Sequence, residues 1–239
     1  MSAAIRKLVL LPGMDGTGKL FAEFVNVLPR EFEATIISYP TDNFRSYDQL
    51  KEQVLASLPV SEPFALLAES FSTPLAIQCA AADPPNLKAC ILCAGFARSP
   101  LLGPKRILAS LLAPVAIRIK LRTVTIRKFL VGDDAPESLL QEVQDVVSSV
   151  RPAVLLARLR SILACDALRD LARINVSLLY LRAANDRLVP ARCADEIVSV
   201  KPRATVISIP GPHLVLQREP KTAAEAVSNF LRKMEKSSA

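Results

Sequence analysis

The chain contains a single histidine, so any chemistry that needs an imidazole has to run through His213. A serine hydroxyl is a weak nucleophile until a neighbouring base takes its proton, and histidine, with a pKa of about 6.5, is the usual base. His213 stands in Ile209-Pro-Gly-Pro-His-Leu-Val-Leu-Gln, directly after the last apolar run. The candidate nucleophile is Ser70, in Phe64-Ala-Leu-Leu-Ala-Glu-Ser-Phe-Ser-Thr-Pro, where an expected strand turns abruptly into a helical pattern. Ala68 and Ser72 flank it two residues to either side, and only small residues fit there when a serine is held on so sharp a turn. Ser72 is a rival, but its own flanks are Ser70 and Pro74, and it already lies in the expected first helical turn. The plain alternative for Ser70 is a helix N-cap. The candidate acid is Asp186, in Tyr180-Leu-Arg-Ala-Ala-Asn-Asp-Arg-Leu-Val-Pro, just past the penultimate apolar run. Its plain alternative is an ion pair with Arg187, while the adjacent Asn185 has no charge with which to steady an imidazolium. The three side chains together would carry acyl transfer: Ser70 attacking, His213 as base, Asp186 orienting it.

Such a reaction also needs donors for the oxygen that becomes negative. Leu10-Leu-Pro-Gly-Met-Asp-Gly-Thr-Gly is a glycine-rich loop after the first apolar run. The Met14 N–H is the expected donor there, and the Phe71 N–H, next to the nucleophile, the second. The same stretch has another reading. Gly13 to Lys19 fits the G-x-x-x-x-G-K of a phosphate-binding loop, but Leu20 stands where serine or threonine would ligate Mg²⁺. A P-loop-like nucleotide-binding protein is therefore the alternative, together with a non-catalytic relative that only binds a small molecule.

To bring residues 14, 70, 186 and 213 together, the chain needs strands that end on one edge. Val/Ile/Leu-rich runs alternate with helical patterns, which predicts an α/β architecture with a mostly parallel sheet covered on both faces. Strands are expected at Lys7–Leu11, Ala34–Tyr39, Phe64–Ala68, Ala89–Cys93, Ser177–Arg182 and Thr205–Ile209. Helices are expected at about Lys19–Leu28, Tyr47–Ser57, Ser72–Ala82, Ala191–Val200 and Thr222–Lys233. Residues 1–239 read as one domain with a helical insertion at about 96–173, in which Leu108, Leu111, Leu112, Val115 and Ile119 form one face despite a kink at Pro114. Placed after a strand, the insertion reads equally as a cap over the site or as extra packing.

Composition removes other classes. A net charge of +7 would suit nucleic acid, yet 5% aromatic residues leave few stacking platforms and no nucleic-acid motif is present. From Pro84 to Gly132 there are nine basic residues and no acidic one. They make either a solvated helix face or a basic cap that meets anionic substrates or a membrane surface peripherally. Ile107–Ile117 is too short to span a bilayer, and no signal sequence is recognisable. Five cysteines form no framework; Cys90 and Cys93 should point to opposite faces of a strand and hold no metal. A cytoplasmic protein follows.

In its PG-x-x-G loop (Pro12 to Gly16), its elbow serine Ser70, its D-x-x-V-P acid loop (Asp186 to Pro190) and its late P-H base loop (Pro212, His213), nearly the whole chain resembles the α/β-hydrolase superfamily. The order Ser70, Asp186, His213 is that superfamily's order. The resemblance implies a carboxylesterase, lipase or thioesterase acting on a small-molecule ester or thioester, without cofactor or metal. Serine at the nucleophile position argues against the dehalogenase and epoxide-hydrolase branches, which use aspartate. Pro12 before the glycine, Glu69 before the nucleophile and no strand expected before Lys7 leave the subfamily unassigned.

Overall fold

A computed structural model of the chain describes residues 4–101, 103 and 123–237. The expected helix face from Leu108 to Ile119, Pro114, and the basic residues Lys105, Arg106, Arg118, Lys120 and Arg122 lie outside the described residues. Six strands, β1 (Lys7–Leu11), β2 (Glu33–Ile36), β3 (Phe64–Glu69), β4 (Leu87–Cys93), β5 (Ser177–Ala183) and β6 (Thr205–Ile209), form one sheet in the order β2-β1-β3-β4-β5-β6. Every pairing is parallel, as the uninterrupted apolar runs predict, because a strand covered on both faces has no polar side.

The two faces are separate cores. Val9, Leu11, Phe64, Leu66, Ala68, Cys90, Leu92 and Tyr180 point to one side, where α2 (Tyr47–Ser57), α3 (Thr73–Ala81), α7 (Leu168–Arg173) and α8 (Arg192–Val200) cover them. Leu8, Leu10, Leu67, Ile91, Cys93 and Leu181 point to the other, against α1 (Ala22–Asn26), α9 (Val215–Arg218) and α10 (Pro220–Ser237). Cys90 and Cys93 thus fall on opposite faces, as the strand period requires, and all five cysteines are free thiols.

Two local expectations are corrected. β2 ends at Ile36 rather than Tyr39, because the Tyr39 N–H leaves the ladder to donate to the Gly16 carbonyl at 2.7 Å. The helix expected from Lys19 opens as a 3-10 turn, Lys19–Phe21, and α1 adds only five residues. The chain on leaving β4 is tied to its own return: Ser99 N donates to Cys165 O at 3.1 Å and Ala167 N to Ala97 O at 2.8 Å. Beyond that neck, Ala167, Leu171 and Ile174 belong to the sheet core.

Between the two sides of the neck, the described insertion comprises α4 (Thr123–Ile126), a π-helical turn Arg127–Val131, α5 (Glu137–Ser148) and α6 (Pro152–Ala164). Leu140, Val143 and Val146 at helical spacing on α5 pack with Ile126 and Val131 of the insertion and with Leu20 and Leu214 of the sheet loops. No helix among the described residues is long and apolar enough to cross a membrane.

Candidate active site

In a parallel sheet all strands end on the same edge, and a crevice opens where the strand order reverses. Here the reversal falls between β1 and β3. The loops after β1, β3, β5 and β6 carry Met14, Ser70, Asp186 and His213, so the topology alone brings the four sequence candidates to one end of the sheet.

Ser70 sits on the turn from β3 into α3 with φ 49°, a left-handed conformation that costs a non-glycine residue energy and aims its side chain out of the sheet edge. The Ser70 carbonyl accepts from the Thr73 hydroxyl at 2.8 Å and from the Thr73 N–H. His213 Nδ1 lies 2.7 Å from Asp186 Oδ2, and His213 Nε2 lies 2.8 Å from Ser70 Oγ. A carboxylate only accepts, so the ring proton belongs on Nδ1, and Nε2 accepts from the serine hydroxyl. Both partners are enclosed, with side-chain exposures of 4% for His213 and 6% for Asp186. Asp186 is fixed by its own turn, its Oδ1 accepting from Leu188 N at 2.8 Å and Val189 N at 2.9 Å.

The alternatives resolve geometrically. Arg187 turns away from Asp186 and pairs with Asp133 at 3.2 Å. Ser72 is fully buried; it accepts from the Tyr39 hydroxyl at 2.8 Å and donates to the Pro12 carbonyl. It anchors the glycine loop to the elbow and lies away from the imidazole. The loop is a poor phosphate cradle, because Asp15 Oδ1 already takes Thr17 N at 2.8 Å and Thr17 Oγ at 2.5 Å. Leu20 is committed to the insertion's apolar cluster.

Met14 reaches the site and Phe71 flanks it. The Gly13 carbonyl accepts from Gly16 N at 3.0 Å, and since that carbonyl shares a peptide plane with the Met14 N–H, the amide points the opposite way. The Thr73 contacts fix the Ser70–Phe71 peptide in the same manner. The Phe71 ring is buried and stacked on Tyr47, with centroids 5.0 Å apart.

A cavity of about 420 Å³ opens beside Ser70 and His213. Its walls are mostly apolar: Met14, Leu20 and Phe96 from the sheet side, Phe129, Leu130, Val143, Val147, Leu155, Leu159 and Ile162 from the insertion. Two carboxyls, Asp15 and Glu69, border its polar end. Glu69 is 2% exposed. Burial pushes its carboxyl up to about 7, aided by the Asp15 charge and opposed by His213 and by the 3.4 Å hydrogen bond from Gln217 Nε2.

Residues 8–226 match the model of the alpha/beta hydrolase family. The chain belongs to that family. Membership supports a hydrolytic activity. No curated protein sequence matches the chain. Among solved structures it is similar to the enol-lactonase from Burkholderia xenovorans LB400, at 17% identity over 96% of this chain and 92% of that one with a TM-score of 0.81. It is also similar to the bromoperoxidase from Bacillus anthracis, at 17% identity over 97% and 93% with a TM-score of 0.82.

A third likeness is to a carboxylesterase structure from the ammonia-oxidizing thaumarchaeon Nitrososphaera gargenis, at 14% identity over 99% of this chain and 94% of that one with a TM-score of 0.80. At these identities the likenesses show the fold alone.

Sequence reading missed one residue of the site, Arg158. It stands in Leu155-Leu-Ala-Arg-Leu-Arg-Ser-Ile, where an arginine looks like a solvated helix position. The available signal was its register: Val154, Arg158 and Ile162 follow one another at intervals of four, which puts the charge on the buried stripe of α6.

Proposed function

We propose that the chain is a serine hydrolase that cleaves a carboxylic ester or thioester of an apolar acyl group through an acyl-enzyme on Ser70. The observation that carries this reading is the continuous chain of hydrogen bonds Ser70–His213–Asp186, with spacings of 2.8 and 2.7 Å. In the first half-reaction Ser70 Oγ bonds to the acyl carbon as its proton passes to His213 Nε2. Asp186 holds the ring and stabilises the imidazolium. The carbonyl oxygen takes up the negative charge beside the Met14 and Phe71 amides. The bond to the leaving group then breaks, and that group departs with the proton from Nε2. Water repeats the sequence: it loses a proton to Nε2, attacks the acyl carbon, and the carboxylic acid leaves as Ser70 recovers its proton.

The size and lining of the cavity support an apolar acyl group, since sites of roughly 300–1,000 Å³ hold small-molecule ligands. The described insertion supplies much of that lining, and we read it as a cap over the acyl chain. The ester class rests on the triad geometry and the apolar cavity beside it. The basic stretch is less free than its composition suggests: Arg98 pairs with Glu196 and Arg127 with Glu137 at 2.5 and 2.6 Å. Contact with an anionic substrate or membrane surface therefore falls to the remaining basic residues. Free thiols fit a reducing compartment, and we place the reaction in the cytoplasm.

The test is labelling with a fluorophosphonate followed by peptide mapping, alongside turnover of p-nitrophenyl esters and acyl thioesters of increasing length. The label is expected on Ser70, and Ser70→Ala should lose both labelling and several orders of magnitude of turnover. A label on Ser72, or one that persists in Ser70→Ala, refutes the reading.

A further inference from the structure

Helix α6 carries a fully buried charge. Arg158 is 1% exposed, and its guanidinium spends its hydrogen bonds on backbone carbonyls: Nη1 donates to Met14 O at 2.9 Å and to Asp15 O at 2.7 Å, and Nη2 to Pro40 O at 2.8 Å. The planar group also lies over the rings of Tyr39 and Phe71, 5.8 and 5.9 Å from their centroids. A leucine or methionine on this apolar stripe would fill space without the cost of desolvating an ion. What only the guanidinium supplies is a rigid fork that grips several carbonyls at once.

Two of the three gripped carbonyls belong to the loop that presents Met14. Pro12 O is held by Ser72, Gly13 O by Gly16 N, and Met14 O and Asp15 O by Arg158. Four successive peptide planes are thus fixed, including the one that carries the Met14 N–H. The approach is so close that a Cβ on Gly16, at φ +73°, would lie 2.6 Å from Arg158 Nη1. Glycine is required there on both counts.

We propose that Arg158 is a positioning residue for the oxyanion loop: acting through the Met14 amide, it couples the cap helix to stabilisation of the tetrahedral intermediate. This inference rests on the serine-hydrolase reading. It differs from a packing role in what it predicts, because a misdirected amide weakens binding of the transition state while leaving the ground state alone.

The experiment compares Arg158→Lys and Arg158→Gln with wild type, using kcat, KM and inhibition by an acyl trifluoromethyl ketone. Its carbonyl carbon bonds to Ser70 Oγ, its oxygen becomes the oxyanion, and the serine proton moves to His213. The corresponding methyl ketone reports ground-state binding. Turnover is expressed per site titrated to completion with fluorophosphonate, so a partly unfolded preparation still reports. Arg158→Gln is expected to lose roughly 10–100-fold in kcat, a part of what removing an oxyanion donor outright costs. KM and methyl-ketone affinity should stay within about threefold, and trifluoromethyl-ketone affinity should fall with kcat. Arg158→Lys should recover part of the loss. Unchanged kcat per site, or equal losses for both ketones, overturns the proposal. Absence of a wild-type label on Ser70 overturns the parent reading instead.

Discussion

Glu69 stands one residue before the proposed nucleophile, is 2% exposed, and leaves its Oε1 without a hydrogen-bond partner among the described residues. Burial pushes its carboxyl from the ordinary 4.5 up to about 7. The folded chain therefore holds this proton more tightly than the unfolded chain does. The stability this contributes is fully present below about 4.5 and is lost as pH rises through about 7. At 1.36 kcal/mol per pH unit, the difference amounts to about 3 kcal/mol. Glu69→Gln keeps the shape and removes the titration, so the variant should gain on wild type as pH rises. At roughly 2–4 °C per kcal/mol for a domain of this size, the melting-temperature difference should grow by about 6–12 °C between pH 4.5 and 8.5, with nearly all of the growth between about 4.5 and 7. Thermal unfolding of both proteins across that range, in matched buffers, measures it; groups common to both cancel in the difference. A difference that stays flat with pH, or that moves against the variant as pH rises, refutes the reasoning.

Asp186→Asn should lower kcat by roughly 10³–10⁴-fold with little change in KM, because the amide keeps the turn but loses the charge that holds the imidazolium; a loss below tenfold in kinetics per titrated site refutes the role. Leu159→Trp, which fills the cavity from α6, should penalise long acyl esters and spare acetyl esters, and equal effects on both would mean the cavity does not take the acyl chain. Charge reversal at Arg118, Lys120 and Arg122 should weaken anionic substrates and spare neutral short esters. High salt should likewise raise KM for the anionic ones. If both classes respond alike, the basic stretch is a solvated face.

How much of this was legible in the sequence depended on how local the information was. Doubly covered strands announce themselves as unbroken apolar runs, and all six start within two residues of expectation, five of them also ending within one, because turn residues bound them. β2 was overextended because Ile37 and Tyr39 are as buried as strand residues, while the hydrogen bond that ends the ladder goes to Gly16, a partner no local pattern reveals. Ser70, Asp186 and His213 were legible because each follows a strand of a parallel sheet, so their meeting is a property of topology. The packing of Leu168–Arg173 on the sheet was not, because it has the same helical periodicity whether it covers the sheet or the site. Only the neck at Ser99 and Cys165 separates the two.

The segment Thr123–Ala164 lines the cavity and is also bonded to three of the loops that meet there. Leu214 N, next to His213, donates to Leu130 O at 2.9 Å. Arg187, next to Asp186, reaches Lys128 O and Asp133. Arg158 holds Met14 and Asp15. The three ties differ in strength. The Arg187 contacts are exposed, and such pairs contribute little, whereas the Arg158 contacts are buried and charge-assisted, and breaking them strands carbonyls away from water. On the proposed reading of this segment as a cap, its ties are weakest at the Asp186 loop and strongest at the Met14 loop, so we expect an opening that admits substrate to release first on the Arg187 side.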